Sequence, residues 1–77
     1  MTSRLDQIVA RVLDIPVAEV SGQLGPKVSA QWTSLRHVQL IAAVEDAYGV
    51  GFTPREIRSV RDVSGLRDLI VRKAGRE

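Results

Sequence analysis

The chain contains no cysteine, which excludes a disulfide framework, a thiolate nucleophile and any cysteine-based zinc site. It has one histidine, His37, too few for a histidine-rich metal centre. No apolar run approaches the roughly 20 residues that a membrane span needs. The N-terminus lacks the long apolar core of a secretory signal, so the cytoplasm is the expected location and no membrane partner is expected. A strong excess of one charge is also missing. Eleven Lys+Arg stand against nine Asp+Glu, and the high isoelectric point of about 9.7 reflects nine arginines. All of the excess falls after Ser34, where eight basic residues face six acidic ones. There Arg55, Arg58, Arg61, Arg67 and Arg72 alternate with Glu56, Asp62 and Asp68. A nucleic-acid binder gathers its positive charge on one face or stripe, so this interleaving speaks against nucleic acid as a partner.

What the chain does have is 77 residues, 44% of them hydrophobic and 26% charged, the composition of one small soluble domain. A domain of this size buries only roughly 60% of the surface its unfolded chain exposes. Its stability is expected on the order of 4–12 kcal/mol.

Helical periodicity dominates. Leu5, Ile8, Val9, Val12 and Leu13 form an amphipathic stripe. The spacing predicts a first helix over 4–15, capped by Thr2 or Ser3 and closed at Ile15 by the following Pro16. Residues 16–33 hold Gly22, Gly25, Pro26 and several serines, and read as a long connection. Val17, Val20, Leu24 and Val28 can pin it to the core, with a helical turn near Val17–Val20 and Trp32 as a buried anchor at its end. A second helix is predicted from Ser34 to Tyr48, ended by Gly49. Its apolar arc is wider than a surface helix needs. Thr53-Pro54-Arg55-Glu56 has the form of a capping box with proline at the first helical position, starting a short helix over 54–59. Asp62 can cap a fourth helix over 63–73, and residues 74–77 read as a frayed tail. No alternating strand pattern occurs. The expected fold is an all-α four-helix bundle, three longer helices and one short, in a single domain over residues 1–77.

Self-contained catalysis finds little support. Ser34 and His37 are neighbours on one helix, but a nucleophile and base also need an orienting acid, an oxyanion hole and a pocket. His37 reads as a partly exposed surface residue. Glu45 and Asp46 are adjacent on a helix and diverge, which suits them poorly to paired acid–base work. Gly49 and Gly51 open no phosphate-binding glycine motif. The remaining candidate is the hydroxyl of Ser34 after a long loop. A helix N-terminus presents unsatisfied N–H groups and a positive dipole end that favour a phosphate. Read from these residues alone, Ser34 or Thr33 is simply an ordinary N-cap.

The surrounding pattern, Trp32-Thr33-Ser34-Leu35-Arg36-His37-Val38-Gln39-Leu40-Ile41, with Val44-Glu45, Tyr48-Gly49-Val50-x-Phe52, Thr53-Pro54-x-Glu56-Ile57 and Val63-x-x-Leu66-x-x-Leu69-Ile70, resembles the acyl carrier protein family along essentially the whole chain. The resemblance is suggestive of discrete carriers serving polyketide and other specialised pathways. It implies a non-catalytic carrier whose Ser34 receives 4′-phosphopantetheine from coenzyme A through a phosphopantetheinyl transferase. Acyl-loading and acyl-processing enzymes would be its other partners, and a monomer is the expected state. It further implies partner recognition by Thr33, Leu35, Arg36, Val38, Gln39 and Ile57. Val38, Ile41 and Ala42 would either line a groove for short cargo or pack in the core. The chain departs from the family pattern in two ways. Thr33 stands where the family has an acid, so no carboxylate is offered there to the transferase or its metal ion. Arg36 and Gln39 occupy positions where acids are common, which points to partner enzymes with different surfaces. The alternatives are a carrier-like interaction domain that is never loaded and a small basic nucleic-acid binder.

Overall fold

Four helices carry the apolar stripes: α1 (Arg4–Leu13), α2 (Ser34–Tyr48), α3 (Pro54–Ser59) and α4 (Val63–Ala74). The structure, a computed structural model, describes residues 3–77, and no strand occurs among them. A single 3₁₀ turn over Val17–Glu19 interrupts the long α1–α2 loop, near the turn expected from sequence. One core unites Leu5, Ile8, Val9 and Leu13 of α1, Leu40, Ile41 and Val44 of α2, and Val63, Leu66, Leu69 and Ile70 of α4, with Trp32, Phe52 and Val60 from the connections. Removing each such side chain from water contributes roughly 1.5–3 kcal/mol, which is how a chain without disulfides holds its shape.

The helix ends follow local chemistry. Ser3 caps α1, its Oγ accepting from the Asp6 N–H at 3.1 Å; Thr2, the other candidate cap, lies outside the described residues. α1 stops at Leu13, two residues before the expected Ile15. Asp14 adopts the left-handed conformation (φ 55°), its N–H reaching back to Arg11 and that of Ile15 to Ala10. This is a Schellman closure with aspartate where glycine is commoner. Because Pro16 bars Ile15 from helical geometry, the turn has to be completed earlier. Gly49 ends α2 in the same way at φ 65°, with the Val50 N–H returning to the Glu45 carbonyl. The predicted capping box is present: Glu56 N–H donates to Thr53 Oγ1 at 3.1 Å and Thr53 N–H to Glu56 Oε1 at 2.8 Å. α4 runs one residue beyond the predicted Lys73, and the tail is tied back where Arg67 meets Glu77 at 3.4 Å and Asp6 at 2.6 Å.

The loop is docked by its backbone. Val63 N–H donates to the Leu24 carbonyl and Ser64 N–H to that of Gly22, each at 2.9 Å. Next to Leu24, Gly25 is buried so closely against the α3–α4 junction that a Cβ there would overlap the carbonyl oxygen of Arg61. Gly25→Ala is therefore expected to destabilise the protein by about 1–3 kcal/mol, the usual cost of overpacking, read from urea unfolding. A change below about 0.5 kcal/mol would show that the loop can lift without loss.

Lys73 clamps the start of α3. Its Nζ lies 2.7 Å from Glu56 Oε1 and donates to the Gly51 carbonyl at 2.9 Å. The hydrogen bond from Lys73, and next the Thr53 N–H, hold the Glu56 carboxyl below its ordinary 4.5. A depressed carboxyl stabilises the fold above its unfolded value, and the contribution is lost as pH falls through the lower folded value. An NMR titration should show the depression in the wild type and its reduction in Lys73→Gln. An unchanged Glu56 titration in the variant would remove Lys73 as its cause.

Candidate functional site

The site begins with the capping of α2. Thr33 has extended geometry and its Oγ1 accepts from the Arg36 N–H at 3.2 Å, so threonine, not serine, is the N-cap. That arrangement leaves Ser34 at the first helical position, exposed, with no side-chain hydrogen bond among the described residues. The backbone N–H groups of Ser34 and Leu35 also lack partners among these residues, and the first turn of α2 holds no acid. An accessible alcohol therefore sits beside two free N–H donors at the positive end of a 15-residue helix. This suits attachment of a phosphate-bearing group through the serine oxygen.

The outward stripe of α2 continues from Ser34 as Leu35, Val38, Gln39 and Ala42, all exposed. Leu35 at 67% and Val38 at 62% are large apolar side chains left in water next to the serine. Ile41 is 3% exposed and belongs to the core, so Val38, Ile41 and Ala42 do not face a common groove. Arg36 is half-buried: its Nη1 donates to the Leu13 carbonyl at 3.0 Å and to the Gln31 carbonyl at 3.3 Å, tying both ends of the loop to α2. Ile57 is half-buried on α3.

A connection that the sequence did not reveal holds these pieces in register. Trp32, 3% exposed, donates its indole N–H to His37 Nδ1 at 3.0 Å, and His37 Nε2 lies 2.9 Å from the Ile57 carbonyl oxygen. Tryptophan is only a donor and a carbonyl only an acceptor, so the network assigns the proton to Nε2. His37 is partly exposed as expected, yet it joins the loop end, α2 and α3 in one chain of hydrogen bonds. The available signal was spacing: Trp32 and His37 occupy the N′ and N4 positions of α2, where a staple pair sits.

No family model matches the chain. A search of curated proteins finds it similar to Polyketide-8 synthase acyl carrier protein 2 of Streptomyces avermitilis, with 31% identity over 72 residues that span 94% of this chain and 83% of that protein. The chain belongs to the acyl carrier protein family. Membership makes it a carrier rather than an enzyme, consistent with its all-helical bundle. No helix among the carrier's described residues is long and apolar enough to cross a membrane, and they hold no cluster of three potential metal-ligating side chains.

Proposed function

We propose that this carrier holds acyl intermediates on a 4′-phosphopantetheine arm attached to Ser34 and presents them to the enzymes of polyketide or related biosynthesis. The observation that carries the reading is the free, exposed Ser34 hydroxyl at the start of α2, beside exposed Leu35 and Val38, in a chain of this family. When bound, the arm supplies a terminal thiol for thioester formation, which a chain without cysteine cannot provide itself.

The chain's own residues position and present. Thr33 takes over the capping role, so the Ser34 oxygen is free to become a phosphodiester oxygen. The unpaired N–H groups of Ser34 and Leu35 favour the negative charge that attachment brings. Leu35 and Val38 give partner enzymes an apolar contact, Gln39 a polar edge, and Ile57 a second apolar contact on α3. Arg36 and the Trp32–His37–Ile57 chain keep the loop and α3 from drifting relative to the serine. The carrier acts as a monomer in the cytoplasm.

The test is incubation with coenzyme A and a broad-specificity phosphopantetheinyl transferase, read by intact-protein mass spectrometry. The expected result is a gain of one phosphopantetheine. Absence of any gain with several transferases, including those encoded near this gene, would favour the never-loaded interaction domain. In that event Thr33→Asp, which keeps a capping oxygen and adds the missing carboxylate, separates a poor transferase substrate from a chain that is not a carrier.

A further inference from the structure

We propose that the carrier's α3 side is a cationic docking flank, formed by Arg55, Arg58, Arg61 and Lys27, that selects partner enzymes whose docking face carries clustered carboxylates. The inference rests on the carrier reading and adds the chemistry of the partner.

In the sequence these arginines are diluted by acids. In the structure two of these acids are engaged, while Asp68 is exposed on α4. Glu56 is held by Lys73 and by the Thr53 N–H, and Asp62 accepts from the Gly65 N–H at 2.8 Å as the cap of α4. Arg55, Arg58, Arg61 and Lys27 are exposed, and none makes a salt bridge among the described residues. Lys73 offsets the Glu56 charge, so apart from the capping carboxylate of Asp62 the exposed charge of this stretch is carried by unpaired cations.

Two contacts fix where that charge sits. The His37–Ile57 hydrogen bond at 2.9 Å sets α3 against the first turns of α2. The close approach of Gly25 to Arg61 brings the loop onto the end of α3, where Pro26, Lys27, Val60 and Arg61 line an open cavity of about 340 Å³. Leu35 and Val38 are thus exposed on the helix against which the cation-bearing α3 is set. The first acids on α2 are Glu45, whose Oε2 accepts from the Phe52 N–H at 2.8 Å, and Asp46, both three turns from Ser34. A partner with a basic docking face would meet like charge, whereas one with carboxylates around an apolar patch would be steered in and retained. The occupant is accordingly an enzyme of the carrier's own pathway, not a nucleic acid: α3 is set against the helix that carries exposed Leu35 and Val38 beside Ser34.

The experiment compares the wild type with two triple variants, R55E/R58E/R61E and the neutral R55Q/R58Q/R61Q, each checked for an unchanged melting curve. Arm attachment to Ser34 is measured first. Binding of each loaded protein to the thioester-accepting condensing enzyme encoded with this chain is then measured at low and high salt. The expected result is a roughly 10–100-fold weaker complex for the reversed variant at low salt, an intermediate loss for the neutral one, and convergence of all three at high salt. Normal arm attachment with unchanged or tighter enzyme binding by the reversed variant overturns the flank alone. Failure of both the wild type and Thr33→Asp to accept the arm overturns the carrier reading and the flank with it. Salt-sensitive retention of duplex DNA that the reversed variant loses, with enzyme binding unaffected, assigns the cations to a nucleic acid and also overturns the proposal.

Discussion

Ser34→Ala is expected to abolish arm attachment completely while leaving the domain as stable as the wild type. In the proposed reading the loss is total, because the serine oxygen would itself be the phosphodiester oxygen and no neighbouring hydroxyl replaces it: Thr33 Oγ1 is occupied as the cap of α2. Stability is spared for the same structural reason. Ser34 is exposed, makes no side-chain hydrogen bond among the described residues, and lies at a helical position where alanine is at least as favourable as serine. A change within about 0.5 kcal/mol in urea unfolding is expected. The measurement pairs intact mass after incubation with transferase and coenzyme A with that unfolding curve. Equal mass gain in wild type and variant would move the attachment site elsewhere.

Trp32→Ala, two residues away, should behave in the opposite way. Trp32 is 3% exposed within the core, and truncating a buried aromatic to alanine costs about 3–5 kcal/mol. Against a total on the order of 4–12 kcal/mol this leaves the domain marginal or unfolded at ambient temperature. The variant also strips His37 Nδ1 of its donor, so the link to the Ile57 carbonyl loses its anchor. Trp32→Phe retains most of the apolar bulk and loses the hydrogen bond, for which a net cost of about 1 kcal/mol is expected. Far-UV circular dichroism in urea resolves the series. Arm attachment to Trp32→Ala should decline in proportion to the unfolded fraction, since Ser34 is intact. A cost near that of Trp32→Phe would mean that the surrounding core collapses into the space.

Much of the molecule was readable in one dimension. The stripes of α1 and α4, the capping box of α3 and the glycine stop after Tyr48 are local patterns, and the helices lie where they indicate. The position of Ser34 at the head of α2 was equally legible, because caps act over three or four residues. The end of α1 was not, since the reading placed the stop directly before Pro16, whereas the turn closes through a left-handed Asp14.

By itself the sequence determined the helical periods, their caps and the serine set at the start of the second helix, because these depend on interactions between residues a few positions apart. Tertiary structure alone decided three further things: that Gly25 is pressed against Arg61, that Trp32 and Ile57 meet through His37, and that Glu56 is taken up by Lys73 while the neighbouring arginines stay unpaired. Each depends on groups brought together from distant parts of the chain, and neither burial nor charge pairing exists until the chain has closed on itself.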